Sequence, residues 1–496
     1  MLAYINLLIS CIVPLIYTPI MMRMLGQAEY GLYALSNSVV SYLSLLNFGI
    51  GSAIVRYISR CRALGNTEDV RRMLGLFLVI YSCLGCLVLV GGLTLIQFSG
   101  SLFGKGLMPE EISRLKPLIL ILSISTAISF PLSIYSSVVV TYERYLYNKL
   151  ICLAETVAAP AMNLVVLFFG GGTVGMAMVA LSLQVVNGLL YGGYCAKRLH
   201  LYPVFKKMPI NLLKELMTFA AFVFMSSIVD MLYWATDKVL IGAMISSVAV
   251  AIYNVGGTFT AMLQNMSYAI GSVFSPRVNM MVAKEKPKKE ISDLLIRVGR
   301  LQFLVVSLIL SGYIVFGQAF LKFWAGDEYA DAYYVALLTM VPLSIPLIQS
   351  LAFATVLAEN KHRFRSIVYA CIAVVNVIST WLILPYYGII GAAACTALSF
   401  VLGQGIIMNI YYHRVTGLDI PRFWNNILSI SIVPAVMVVA GLLITRLVVP
   451  IDSLMMLLIG AMCFTAVFAV ATWFISMNRY EKDLVWGMVR KVLPKR

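Results

Sequence analysis

Residues 73–97 read MLGLFLVIYSCLGCLVLVGGLTLIQ, an uncharged run directly behind the pair Arg71-Arg72. A helix crosses the hydrocarbon core of a bilayer with about 20 consecutive apolar residues. This run is long enough, and its basic flank marks the side of the membrane where Lys and Arg collect. The rest of the chain has the same character. Of 496 residues, 61% are hydrophobic and 12% charged, and the mean hydropathy is +0.92. That charged share is about half of what a soluble domain carries. The composition excludes a soluble domain, a disordered chain and a disulfide scaffold. It also leaves little length for a soluble catalytic domain.

Working outward from 73–97, apolar runs place helices at about 2–22, 32–54, 117–140, 148–169, 173–195, 218–243, 248–275, 300–321, 333–356, 366–386, 389–411, 426–446 and 453–476. The prediction is an all-α integral membrane protein of about fourteen transmembrane helices. Residues 2–22 lack a basic flank and a small-residue cleavage site, so they read as a first crossing rather than a signal peptide. Loop charge tests the count. With both termini inside, 30 of the 37 Lys and Arg fall in inner loops and 6 in outer ones. One missed helix would invert that pattern downstream. The net charge of +16 therefore reports orientation, not nucleic-acid binding. Two segments are expected to lie at the interface. One is the basic linker from Lys197 to Lys214. The other is the tail from Tyr480 to Arg496, with Leu484, Val485, Met488, Val489 and Val492 on one helical face.

The sequence also repeats. A shift of 220 aligns Met24 with Met244, Tyr33 with Tyr253, and Ile50-Gly51-Ser52 with Ile270-Gly271-Ser272. A shift of 226 aligns Phe77-Leu78-Val79 with Phe303-Leu304-Val305. The predicted organisation is an N-terminal lobe of six helices (1–196), a cytoplasmic linker (197–214), a C-terminal lobe of six (215–412), two added helices (413–476) and an interfacial tail (477–496). Parallel repeats imply a transporter with its site between the lobes, near the midplane.

Charges inside membrane helices are costly and so are candidates for function. Asp230 and Asp237 are seven residues apart and share a helical face, with Tyr233 and Trp234 between them and Lys238 beside them. One reading is an aqueous face with a cation for phosphate, acids for ion coupling and aromatic surface for sugars. The other is a neutral Asp–Lys pair that only joins helices. Glu155, near Pro160 and Asn163, is either a proton-cycling acid or a structural one. Arg56 and Arg23, at opposite ends of the first two helices, are either phosphate contacts or anchors that reach to the interface. Cys83 and Cys86 form a C-x-x-C without a partner pair and read as small core residues rather than a zinc or redox site. The three histidines each lie beside Lys or Arg, so no metal site is expected. The chain carries neither a P-loop nor G-x-S-x-G, and no catalytic group or cofactor is expected.

Several motifs occur in a recognisable order. Leu25-Gly26-Gln27-Ala28-Glu29-Tyr30-Gly31-Leu32-Tyr33 is followed by Gly49-x-Gly51 and Arg56. Thr236-Asp237-Lys238-x-x-Ile241-Gly242, Phe323-Trp324-x-Gly326-x-x-Tyr329 and Gly388-x-x-Gly391-Ala392-Ala393 come later. Over nearly the whole chain these resemble the Wzx-type polysaccharide flippases of the multidrug/oligosaccharidyl-lipid/polysaccharide exporter superfamily. The resemblance implies a MATE-like fold of two six-helix lobes around a cationic cavity. It implies a cargo of undecaprenyl-pyrophosphate-linked sugar repeat units, flipped across the bacterial inner membrane for capsule, O-antigen or exopolysaccharide synthesis. Lys238 and Arg56 match positions where relatives place cations, and Arg23 matches an arginine at a helix end. The cations that some relatives carry in mid-helix 1 have no match, since residues 2–22 are uncharged. The expected substrate contacts are Lys238, Arg56, Arg23, Trp234 and Tyr233; the expected coupling acids are Asp230, Asp237 and Glu155. Expected partners are the lipid-linked oligosaccharide, membrane lipid, and a polysaccharide polymerase with its chain-length proteins. Two alternatives stay open: a cation-coupled multidrug exporter of the same fold, and a flippase for lipid II. An enzyme is not expected, because the longest outer loop, about 98–116, offers only Glu110 and Glu111.

Overall fold

The computed structural model describes residues 2–48, 50–206, 224, 227–229, 231–448, 451–483 and 486. Asp230, the linker beyond Lys206, the first part of the predicted 218–243 helix, and the tail residues Leu484, Val485, Met488, Val489 and Val492 lie outside these. The described residues form helices and no strands. They divide into two compact units. Unit 1 is Met1–Asn254 with Val377–Ile389, and unit 2 is Val255–Asn376 with Ile390–Arg496.

Unit 1 begins with α1 (Leu2–Leu25), which ends on Arg23 in its last turn. Gly26, at φ 77°, lets the chain turn through 118° into α2 (Gln27–Ser44). A 3-10 turn at Leu45–Asn47 and Phe48 in the left-handed region separate α2 from α3 (Ile50–Ala63). Tyr81, fully buried, donates to Asn47 Oδ1 at 2.7 Å and fastens this break to α4 (Thr67–Phe103). Asn66 caps α4 by accepting from the Asp69 amide, and Glu68 and Asp69 offset the dipole in its first turn. Next come α5 (Pro109–Thr141), α6 (Tyr145–Phe168) and α7 (Gly172–Leu199). Helices α4 and α5 approach closely because Gly85 leaves room for the Ala127 backbone, the small-residue packing usual in membranes. A short helix, α8 (Thr236–Met244), and the first turns of α9 (Ser247–Ala283) complete the unit.

Unit 2 holds the rest of α9, then α10 (Lys288–Trp324), α11 (Ala332–Ile348) and α12 (Ser350–Ala358), the last two bent by 48°. The long α13 (His362–Phe400), whose Val377–Ile389 segment belongs to unit 1, is broken at Gly388, whose φ is 57°. It runs through a π-helical stretch, Val401–Ile407, into α14 (Met408–Arg414). Asn409 supports that stretch by donating to the Gln404 and Gly405 carbonyls, which the wider helix leaves short of partners. Helices α15 (Ile420–Leu443) and α16 (Leu454–Ala471) follow.

The repeat recurs in the element ends. Helix α2 begins at Gln27 and α9 at Ser247; α3 ends at Ala63 and α9 at Ala283; α4 and α10 are both 37 residues long, starting at Thr67 and Lys288. The offset stays at 220 or 221. Eight described helices are long and apolar enough to cross a membrane, or ten if each bent pair is one span. That is fewer than the fourteen expected, and the first part of the predicted 218–243 helix lies outside the described residues. Residues 363–414 count as one run although Gly388 breaks it, and α1 with α2 count as one pair. Helix α9 is not among the eight, because it carries Asn254, Thr258, Gln264 and Asn265 along its length. Cys83 and Cys86 are exposed on α4 rather than packed in the core.

Candidate functional site

The charges of the Thr236-Asp237-Lys238 motif sit at the start of α8. Helix 231–234 ends at Ala235, and Asp237 occupies the first turn of the new helix, where a carboxylate meets the positive end of the dipole. Asp237 is only 2% exposed. Its Oδ2 accepts a 2.5 Å hydrogen bond from the Tyr253 hydroxyl on α9, so this buried carboxylate is held across the α8–α9 turn. Neighbouring contacts fasten the same turn to α2. Tyr42 and Thr236 share a 2.5 Å hydrogen bond, and Asn254 donates to the Tyr30 hydroxyl at 2.7 Å. Gly31, Leu35 and Tyr42 lie on one face of α2. A Cβ on Gly31 would stand 1.8 Å from the Ser247 carbonyl oxygen, and one on Gly242 would meet Leu35 at 2.7 Å. The helices therefore touch backbone to backbone.

Lys238, next in sequence, points about 100° away around the helix. It is half-buried, and among the described residues no acidic group lies within 4.0 Å of its ammonium. Asp237 and Lys238 therefore make no ion-pair contact within 4.0 Å, and the alternative Asp230–Lys238 pair lies outside the described residues. Tyr253 takes up the carboxylate instead.

The other candidates are distributed. Tyr233 is buried, whereas Trp234 is 38% exposed. Arg23 is exposed in the last turn of α1. Arg56 is exposed on α3, its guanidinium 5.9 Å from the Tyr57 ring centre. Glu155 is exposed on α6. The structure brings Asp237 together with Tyr253, Thr236 and Tyr42, and leaves Arg23, Arg56 and Glu155 on three other helices.

A second polar group lies at the end of unit 1 where α1 meets α2. Glu29 pairs with Arg114 at 2.5 Å and accepts from Thr173 at 2.8 Å. Ser247 donates to Glu111. A cavity of about 500 Å³ opens beside the Glu29–Arg114 pair, walled by Met24, Leu25 and the glycines 170–172. Sequence reasoning missed Tyr253, Tyr42, Glu29 and Arg114 as partners. The 220-residue shift, which had already set Tyr253 on Tyr33, was the one available signal for Tyr253.

Comparison with known proteins follows from this fold. The chain is 23% identical over 500 residues to the membrane protein EpsK of Bacillus subtilis, covering 98% of this chain and 96% of that one. It is 19% identical over 407 residues to a Shigella flexneri protein named as an O-antigen transporter, covering 78% and 91%. Among solved structures, the lipid II flippase MurJ in an inward closed conformation superposes with a TM-score of 0.70 at 14% identity, covering 97% of this chain and 99% of that one. A MATE-family multidrug resistance transporter of the MOP superfamily, inward-facing, superposes at 0.63 with 13% identity, covering 83% and 96%. The fold is therefore the MATE-like one expected, in a multi-pass membrane protein. Residues 3–282, more than half of the chain, match the family described as polysaccharide biosynthesis protein, and the chain belongs to that family.

Proposed function

We propose that this protein is a flippase for undecaprenyl-pyrophosphate-linked oligosaccharide repeat units in the bacterial inner membrane, serving capsule, O-antigen or exopolysaccharide synthesis. The observation that carries this reading is the family match over residues 3–282, in a chain whose half-buried Lys238 has no acidic oxygen within 4.0 Å among the described residues. A cation inside a membrane protein suits an anionic group such as pyrophosphate. Names of relatives point the same way, one for O-antigen transport and one for glycan-biosynthesis flipping.

In this reading the chain crosses fourteen times with both termini cytoplasmic, supported by the lopsided loop charge. The repeat halves, 1–196 and 215–412, alternate access; residues 413–476 add two helices and 477–496 an interfacial tail. Lys238, Arg56 and Arg23 contact pyrophosphate, and Tyr233 and Trp234 contact sugar. Asp237, Asp230 and Glu155 are the coupling acids. A polysaccharide polymerase and chain-length proteins take the product. The test is genetic. Depleting the protein in its own cell should strip surface polysaccharide while the lipid-linked repeat unit accumulates on the inner leaflet. Unchanged surface polysaccharide would refute the reading, and an immediate arrest of peptidoglycan growth would favour lipid II as cargo.

A further inference from the structure

Helix α9 has two faces of different chemistry. Val255, Phe259, Leu263 and Ser267 are buried in unit 2. The polar groups on that side are satisfied internally: Thr260 bonds Thr339 at 2.7 Å, and Ser267 donates to the Leu347 carbonyl at 3.2 Å. On the opposite side, Thr258, Ala261, Asn265, Tyr268 and Ser272 recur at helical spacing and form one stripe. Asn265 and Ser272 are exposed, and Tyr268 is 52% exposed. Gln264, at the stripe's margin, donates to the Tyr268 hydroxyl at 3.0 Å. The stripe runs about 21 Å along the helix at 1.5 Å per residue. From Ser247 to Pro276 the helix contains no Asp, Glu, Lys, Arg or His.

The Ser272 hydroxyl bonds back to the Ala269 carbonyl at 3.1 Å, but the exposed Asn265 amide and Tyr268 hydroxyl do not suit lipid tails, which offer nothing to bond them. They suit a polar ligand that gives and takes hydrogen bonds. The lack of any charge along the stripe disfavours a phosphate or an ionic drug. A carboxamide donates and accepts at once, as does a hydroxyl, which matches the ambivalence of sugar hydroxyls. An exposed tyrosine ring adds a flat apolar surface with a polar tip. We propose that this stripe is the wall against which the neutral glycan of the cargo lies, with Asn265 and Tyr268 as its main contacts and Gln264 orienting the Tyr268 hydroxyl. The assignment rests on the flippase reading above and adds to it a binding face for sugars beyond the first, whose hydroxyl and acetamido groups are uncharged.

The test uses the full chain in liposomes and two probes. One is undecaprenyl pyrophosphate carrying a tetrasaccharide of neutral hexoses and N-acetylhexosamines. The other carries a single N-acetylglucosamine. The variants are Asn265→Leu with Tyr268→Leu, and separately Lys238→Ala. The stripe variant should slow translocation of the tetrasaccharide lipid about tenfold or more while changing the monosaccharide lipid less than twofold, which also shows that it is folded. Lys238→Ala should slow both. Equal slowing of both probes by the stripe variant, or no slowing of either, overturns the assignment while leaving the flippase reading standing. If wild type moves neither probe, the flippase reading fails and the glycan wall falls with it.

Discussion

Glu481 is fully buried, and its partner Arg300 on α10 is nearly so. The guanidinium donates to both carboxylate oxygens, at 2.6 and 3.1 Å, and to the Ser476 carbonyl at 2.8 Å. The Asn478 amide adds a third bond to the same carboxylate at 2.9 Å, the fourth in the cluster. Replacing Glu481 with Ala removes three of these four bonds and leaves a buried guanidinium with one acceptor. Breaking one side of a buried pair costs about 3–5 kcal/mol. If the loss falls on docking of 478–483, the undocked population rises roughly a hundredfold to a few thousandfold. Glu481→Ala should therefore lower the melting temperature in detergent by several degrees and speed trypsin cleavage at Arg479 and Lys482. Exchanging both partners, Arg300→Met with Glu481→Leu, should recover most of the loss, because apolar side chains carry no desolvation penalty. Cleavage and melting within about 1 kcal/mol of wild type for Glu481→Ala would refute this, as would a double variant no better than the single one.

Three further outcomes follow from the same geometry. Gly31→Ala places a Cβ against the Ser247 backbone, which cannot rotate away, and should cost about 1–3 kcal/mol or more in thermal melting, whereas Gly100→Ala, with nothing within 4 Å, should be neutral or slightly stabilising. Tyr253→Phe removes the 2.5 Å hydrogen bond that holds the Asp237 carboxylate and should slow translocation several-fold, and an unchanged rate would contradict a coupling role for Asp237. For Glu359, burial raises the carboxyl pKa, but hydrogen bonds from Lys288 and Lys361 outweigh burial and hold it below its ordinary 4.5. A lowered pKa stabilises the fold above the unfolded value and stops doing so as pH falls through the folded one. Melting temperature should thus drop below about pH 4.5 in wild type and less steeply in Glu359→Gln, and parallel curves would contradict this.

The membrane class and the repeat were legible in the sequence because each rests on local pattern: uncharged runs such as 73–97, and motifs 220 residues apart. The turn at Gly26 was also readable, since a glycine between two apolar runs marks where a chain can reverse. The site was only half legible. The Asp237 and Lys238 charges announced themselves by lying in an apolar segment, but Tyr253, which bonds Asp237 across a turn, carries no local signal. Glu29, Arg114 and Thr173 come from three helices and meet only when these pack. The face expected to hold Tyr233, Trp234 and Asp237 together presumed an unbroken helix; the helix restarts after Ala235 and leaves Trp234 exposed. The α9 stripe was hidden in plain spacing, since the polarity that marks it also weakens the apolar signal of the helix.

In the proposed function the chain carries a lipid-linked oligosaccharide between leaflets, with Lys238 gripping its pyrophosphate. The most direct test is to reconstitute the purified protein in liposomes loaded with undecaprenyl-pyrophosphate tetrasaccharide and follow the appearance of the sugar on the far leaflet. Wild type should raise the rate well above that of empty liposomes, and Lys238→Ala should bring it back towards them. A wild-type rate equal to that of empty liposomes, with and without an imposed proton gradient, would contradict the account.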